Sequence, residues 1–369
     1  MRDKPYCNAP WIGLAYESSV GCKPCCEYHD GSPSGSSFRG NHKDYVKSNY
    51  LKNFKKMMYE DEIDGGCKVC IDAERIDNFS TRRRLGVYNV DWNSTDNKII
   101  KFDFRAGNKC NLSCRMCHPE SSSMREEEEI KFNNASSVFK VEDMSDAYDI
   151  DLSKCVELSI LGGEPSIDLE VRKWINHVKV FNIHVIVTTN ATNASDKWFD
   201  SLKQLKKLSI WLSIDATGDA NDFQRKGSDW KELKKNIIKY KKEFKNQIKI
   251  QITASAINFA MLDIWWEELM ELDIPVHSSA VVYPMSYSLK AIPDEYKDDQ
   301  IKWLENWISK ESTIFRQKKE AKEAIKMLQM NRYDKKYNES FKREVKKMDD
   351  WRNENINDLD YRFEEILNA

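Results

Sequence analysis

From residue 98 onward, short runs rich in β-branched and aromatic residues alternate with amphipathic helical stretches, and this alternation restricts the chain to few folds. The strand-like runs cover 98–105, 156–161, 184–189, 208–214, 248–254 and 276–283. Helical spacing fills 169–180, 196–205, 230–244 and 262–272 between them. Strands joined through helices pair in parallel, with right-handed crossovers. The expected fold class is therefore α/β, an open or partial (β/α)6 barrel, short of the closed eightfold form. In such sheets chemistry gathers at the C-terminal ends of the strands.

The flanks read differently. Residues 1–97 carry a Gly- and Ser-rich stretch at 31–37, few long apolar runs and six cysteines. A segment of this kind has little core of its own and is expected to fold around a metal, as a small cysteine-rich module. Within it, helical spacing at 45–59 predicts one amphipathic helix. The barrel spans 98–290, and 291–369 is a charged helical extension with apolar positions at Ile301, Leu304, Trp307 and Ile308, then Phe341, Val345 and Met348. Its pattern predicts a solvated tail packed on the barrel. The acidic run 126–129 reads as a solvated helix face.

Charge and hydropathy exclude several classes. The 369 residues hold 58 basic and 60 acidic side chains, a net charge of −2, so no basic field points to nucleic acid. No run of about 18 apolar residues predicts a membrane span. The start, Met1-Arg2-Asp3-Lys4-Pro5, lacks the apolar centre of a secretory signal, which implies a cytoplasmic protein. Nine of the ten cysteines precede residue 118. Without a secretion signal, such clustering favours metal ligation over disulfides. Cys155 stands alone before a strand and is expected in the core.

After the first strand comes Cys110-Asn-Leu-Ser-Cys114-Arg-Met-Cys117, a C-x3-C-x2-C loop with no fourth cysteine nearby. Three thiolates can hold three irons of a [4Fe–4S] cluster and leave one iron open, the feature that separates a reactive metal centre from a structural one. The loop resembles the signature of the radical S-adenosylmethionine (SAM) superfamily. That resemblance implies that the open iron chelates SAM, that the reduced cluster cleaves it, and that a 5′-deoxyadenosyl radical then takes a hydrogen atom from substrate. It also implies catalytic roles for Cys110, Cys114 and Cys117, and places Met116 near the adenine.

Further matches follow in order. Leu161-Gly162-Gly163-Glu164-Pro165 ends the second strand and resembles the family's GGEP motif, in which backbone and Glu164 would hold the amine of SAM. Glycines there allow close backbone approach, and a carboxylate can pair with an ammonium group. Thr189 and Asn190 end the third strand, and Ser213 and Asp215 the fourth; all four resemble cofactor-contacting positions. Arg225 resembles a basic residue that pairs with the carboxylate of SAM. Asn258 and Val281 are candidates near the adenine.

In the N-terminal segment Cys7 and Cys26 frame a C-x13-G-x4-C pattern through Gly21, and Cys67-Lys-Val-Cys70 adds a C-x2-C pair. The start from Cys7 to Trp11, the Cys25-Cys26 doublet and the later pair resemble SPASM and twitch auxiliary-cluster modules, although those usually follow the barrel. Cys7, Cys26, Cys67 and Cys70 would saturate one auxiliary [4Fe–4S] cluster, with Cys22 or Cys25 able to replace Cys26. Zinc is the alternative metal, because thiolate spacing alone does not select it. Six cysteines are too few for two fully ligated clusters, so the match is to the shorter twitch type. Proteins with such modules often modify peptides or proteins, and others oxidise small metabolites. The resemblance thus implies an oxidoreductase acting most often on a peptide or protein, with an electron donor such as flavodoxin or ferredoxin as partner. The other readings are a dehydrogenase or rearrangement enzyme of a small metabolite, and a non-catalytic iron–sulfur or zinc protein.

Overall fold

The structure, a computed structural model, describes residues 3–17, 21–28, 37–61, 63, 65–75, 80–94, 98–136, 145–281 and 284–369. Most of the Gly- and Ser-rich stretch, and the end of the last expected strand at 282–283, lie outside the described residues. The strands, in chain order, are β1 (Gly13–Glu17), β2 (Gly21–Lys23), β3 (Lys101–Arg105), β4 (Ser113–Cys114) and β5 (Glu157–Leu161). They continue with β6 (His184–Thr189), β7 (Lys207–Ser213), β8 (Arg225–Lys226), β9 (Ile248–Ala254) and β10 (Val276–Ala280). The helices are α1 (Ala9–Ile12), α2 (His42–Lys47), α3 (Asn49–Met57), α4 (Lys68–Arg75), α5 (Thr81–Leu85), α6 (Ser123–Asn133), α7 (Leu169–Val178) and α8 (Asp196–Lys203). After them come α9 (Gly218–Gln224), α10 (Trp230–Phe244), α11 (Leu262–Glu271), α12 (Asp294–Ser309), α13 (Phe315–Met330), α14 (Lys335–Arg352) and α15 (Arg362–Asn368).

The chain falls into two compact units. The first is Met1–Lys109, Ser137–Thr188 and Asp196–Ser209; the second is Cys110–Ser136, Thr189–Ser195 and Ile210–Ala369. Parallel strands alternating with helices build both, so the fold class is the expected α/β one, with the strand–helix order of a partial (β/α) barrel.

In the first unit the strands run β2-β1-β3-β5-β6, all parallel except the β1–β2 hairpin. The surprise is β1. It comes from the cysteine-rich segment, yet it pairs in parallel with β3, Gly13 opposite Lys101 and Glu17 opposite Arg105. A parallel pair needs a crossover, and here that crossover carries α2 to α5. The side-chain period of two sorts the sheet into two faces. Leu14, Phe102 and Leu158 share one face with Tyr16, Phe104 and Ile160, and Trp174 of α7 stacks on Phe104 at 4.5 Å. The opposite face presents Lys101, Asp103 and Arg105 beside Ala15, Glu17 and Ser159.

The single helix expected at 45–59 is two. Ser48 ends α2 by donating to the Tyr45 carbonyl at 2.6 Å and caps α3 by accepting from the Leu51 amide at 3.2 Å. A serine hydroxyl serves a helix N-terminus better than a helix interior.

In the second unit β7, β9 and β10 are parallel neighbours, and β4 and β8 form a short antiparallel ribbon. In α10, Trp230, Leu233, Ile237, Tyr240 and Phe244 form one buried stripe, started by the Asp229 cap. The extension is far from a loose tail. Phe341, Val345 and Met348 line a buried stripe of α14, and Phe341 meets Tyr287 edge-on at 5.9 Å.

Candidate active site

The three-cysteine loop lies in the second unit and is fixed by its own neighbours. Ser122 caps α6 and donates to the Leu112 carbonyl at 2.7 Å. Ser123 accepts from the Cys110 amide and donates to the Cys110 carbonyl, both at 3.2 Å. The Cys117 amide donates to the Cys114 carbonyl at 3.1 Å. The Cys114 thiol is held down at about 7, first by the hydrogen bond from Cys117, while burial opposes and Arg225 adds to the pull. The Cys117 thiol, which donates that bond, is pushed well up by it and by burial.

Strand-end residues converge on the same loop. Arg225 pairs through Nε with Asp215 at 2.8 Å and aims Nη1 at the Cys114 sulfur at 3.9 Å. Asp215 in turn accepts from the Thr253 amide at 2.8 Å. Asn190 donates to Asn111 at 3.0 Å, and Asn111 donates to Thr192 at 2.9 Å, so the turn after β6 latches the loop between Cys110 and Cys114. Thr189, buried, accepts from the Ala191 amide at 3.2 Å, which supports the left-handed φ of 60° at Ala191. Met116 is buried and Ser213 half-buried at the end of β7. Asn258, a candidate near the adenine, spends its amide within the chain. Its oxygen accepts from the Ser255 amide and hydroxyl, and its nitrogen donates to the Asp215 and Thr253 carbonyls, which uses the whole amide. Val281, also buried, donates its amide to Ala254 at 2.9 Å.

Gly162, Gly163 and Glu164 lie in the first unit. The Gly163 amide donates to the Gly107 carbonyl at 2.9 Å and the Glu164 amide to the Lys109 carbonyl at 2.7 Å. A Cβ on Gly163 would stand 2.2 Å from the Lys109 oxygen, and Gly162 holds φ +125°. Both glycines are therefore required by the backbone that leads into Cys110. Glu164, 1% exposed, accepts from the Ser166 amide at 3.0 Å and so starts the turn at Pro165.

The N-terminal cysteines sort themselves as well. Cys7, Cys25, Cys67 and Cys70 line one apolar cavity with Tyr6, Tyr28, Phe54 and Arg82. The member of the doublet that lines it is Cys25, expected as an alternative to Cys26. Cys25 accepts the Glu27 amide at 3.4 Å, and Cys26, hydrogen-bonded to Cys25, also receives Lys101 Nζ at 3.8 Å. Cys7 likewise accepts the Ala9 amide at 3.4 Å. Burial pushes the Cys7 thiol up to about 12 and raises Cys70, which the amides of Arg82 and Thr81 partly offset. Arg82 is held by Glu74 and lies over the Tyr6 ring at 4.5 Å. Cys22 and Cys155 are buried. Among the described residues no three His, Cys, Asp or Glu side chains close on one point as they do around a single ion.

Two groups escaped the motif reading. Lys101, 4% exposed, binds both Asp103 oxygens at 2.6 Å. Arg115, inside the loop itself, is buried and bound by Asp349 and Glu354 from the extension. The acidic run is not a solvated face either: Glu128 pairs with Arg125 and Arg352, and Glu129 with Arg125 and Lys347. Alternating charge along β3 was readable in the sequence. The pairing of Arg115 with acids more than 200 positions away was not.

A parallel α/β scaffold with a three-cysteine loop after its first barrel strand defines a class of metal-dependent enzymes. The Radical SAM superfamily matches residues 105–256, and the chain carries a radical SAM domain there. No curated protein matches the chain. Among solved structures it is similar to native anSMEcpe with bound AdoMet, at 20% identity over 56% of this chain and 61% of that one, TM-score 0.40. It is also similar to Streptococcus suis SuiB bound to precursor peptide SuiA, at 13% identity over 74% of this chain and 60% of that one, TM-score 0.40. The chain thus spans about three fifths of the length of either. The family implies a [4Fe–4S] cluster and SAM. The loop suits the cluster by its donors: three cysteines on one short loop, a lowered thiol at Cys114 and a guanidinium beside it. Among the described residues no helix is long and apolar enough to cross a membrane.

Proposed function

We propose that this enzyme cleaves SAM reductively at a [4Fe–4S] cluster held by Cys110, Cys114 and Cys117, and that it modifies a peptide or protein. The observation that carries the reading is the Asp215–Arg225–Cys114 relay beneath the loop. When bound, the cluster and SAM supply a carbon-centred radical able to take a hydrogen atom from substrate. The residues of the chain hold and shield these groups. Arg225 offsets the negative charge of the thiolates, Asp215 fixes its fork, and Asn190 and Asn111 set the loop's outer edge. On the resemblance of the motif alone, Gly162, Gly163 and Glu164 would meet the amine of SAM; Met116, Thr189 and Ser213 of the second unit are assigned to SAM on the same ground.

A second, auxiliary [4Fe–4S] cluster belongs to the same proposal, on Cys7, Cys25, Cys67 and Cys70. Amide donors to Cys7, Cys25 and Cys70 support it, because thiolates are stabilised by such bonds. We read residues 1–97 as the module that carries it, 98–290 as the barrel and 291–369 as an extension. A flavodoxin or ferredoxin in the cytoplasm would supply the electron. The peptide or protein substrate rests on the resemblance of the cysteine set to twitch modules. Anaerobically reconstituted protein should form 5′-deoxyadenosine from SAM under a strong reductant. Formation of 5′-deoxyadenosine by the Cys110→Ala/Cys114→Ala/Cys117→Ala variant would sink the assignment.

A further inference from the structure

The elements that hold Cys114 do not all come from the radical SAM segment 105–256. Ser113 and Arg115, its two chain neighbours, are each gripped by the end of α14 or the turn after it. Arg352 Nη2 donates to the Ser113 carbonyl at 2.6 Å and to its hydroxyl at 2.9 Å. The same guanidinium binds Glu128 of α6, through Nε at 3.0 Å and Nη2 at 2.9 Å. On the other side Arg115 Nη2 reaches Asp349 at 2.5 Å and Glu354 at 2.6 Å. Glu354 also binds Lys226, the ribbon partner of Ser113, at 2.5 Å. Asp349 spends its second oxygen on the Ile356 amide at 2.9 Å, which fixes the turn that brings Glu354 into place.

We propose that Arg352, Asp349 and Glu354 are positioning residues of the cluster site, which clamp the loop on both sides of Cys114 and keep its thiol aimed at the cluster. The proposal rests on the reading that Cys110, Cys114 and Cys117 ligate iron. Docking of α14 does not need the clamp. Its apolar stripe of Phe341, Val345 and Met348 already anchors the helix, while the charged end is spent on loop backbone and on Arg115. A helix that merely covered the barrel would have no use for a guanidinium nitrogen on the Ser113 carbonyl and hydroxyl. Groups behind metal ligands fix ligand orientation, and their loss weakens metal retention even where the ligands remain.

The test compares wild type, Arg352→Ala, Arg352→Lys and Asp349→Asn/Glu354→Gln, all in the full-length reconstituted protein with Cys25 replaced by Ala so that the loop iron is read alone. Iron loss to a chelator, the electron paramagnetic resonance signal of the reduced cluster with and without SAM, and thermal melting are measured together. Arg352→Ala and the double variant should lose iron roughly 10- to 100-fold faster, with an altered resonance signal. Arg352→Lys, which keeps the charge but not the fork, should fall between Arg352→Ala and wild type. If Arg352→Ala unfolds, Arg352→Lys and the single variants Asp349→Asn and Glu354→Gln, each of which leaves a carboxylate on Arg115, carry the comparison. Wild-type rates and signals in folded Arg352→Ala and in the double variant would overturn the clamp alone. Absence of any iron that depends on Cys110, Cys114 and Cys117 in the parent would overturn both the clamp and the reading beneath it.

Discussion

Arg115 and Asp349 stand 2.5 Å apart, although the sequence separates them by 234 positions, and the arginine side chain is sealed from solvent. Glu354 shares the same nitrogen, and the guanidinium lies over the Phe223 ring at 3.8 Å. A buried cation with one partner removed is costly, because the remaining charge keeps its desolvation penalty. Asp349→Asn and Glu354→Gln should each destabilise modestly, since one carboxylate still faces Arg115. The double variant should lose about 3–5 kcal/mol, more than the sum of the singles. Denaturant unfolding of the four proteins measures this, and additivity within error would count against a shared charge.

The Lys101–Asp103 pair predicts a pH dependence. Burial alone would raise the Asp103 carboxyl, but the Lys101 ammonium overrides it and holds the group below the usual carboxylate range. A depressed carboxyl contributes stability that is complete above its unfolded value of about 3.9 and is lost as pH falls through the lower folded value. Asp103→Asn should therefore destabilise by roughly 3–5 kcal/mol at neutral pH and flatten the acid limb of the stability curve. An unchanged acid limb in the variant would show that other groups set it.

Gly163→Ala places a methyl group 2.2 Å from the Lys109 carbonyl oxygen and 2.5 Å from the Asn108 carbonyl, backbone atoms with no flexible side chain to yield. The expected cost is about 1–3 kcal/mol or more, read by thermal melting. Gly218→Ala is the control. It has a positive φ, +55°, but nothing lies within 4 Å of the added carbon. It should cost about 1 kcal/mol, from backbone strain alone.

The cysteine doublet gives a sharp comparison. Cys25→Ala should remove the iron of the N-terminal site after anaerobic reconstitution, while Cys26→Ala should retain it, because Cys25 lines the cavity and Cys26 receives Lys101 Nζ. Iron and sulfide analysis on a Cys110→Ala/Cys114→Ala/Cys117→Ala background isolates that site. Zinc in place of iron and sulfide would exclude an auxiliary iron–sulfur cluster.

Elements with a strong period were legible in the sequence. Strands 184–189 and 248–254 coincide with β6 and β9 to the residue, since alternating burial leaves little latitude in register. The helix at 230–244 likewise matches α10, whose start is marked by Asp229. The run Gly13–Glu17 is not legible as a strand, because five residues after the short helix that bears Trp11 carry too little alternation. Ser48 was read through as helix, because its capping role depends on which way one hydroxyl turns. The three loop cysteines declared themselves by spacing. Arg115 and Arg352 did not, because their partners are set by how a distant helix comes to rest.

The pairing of β1 with β3 makes residues 18–100 a detour within a single crossover, since two neighbouring strands mark its entry and exit. Removing 1–97 to obtain a minimal barrel would strip β3 of one of its two partners and leave a row of unpaired amides and carbonyls on that side, a template for joining another chain. The cysteine-bearing segment is thus also the edge guard of the sheet. Loss of that segment's fold and loss of the sheet's solubility are then a single liability.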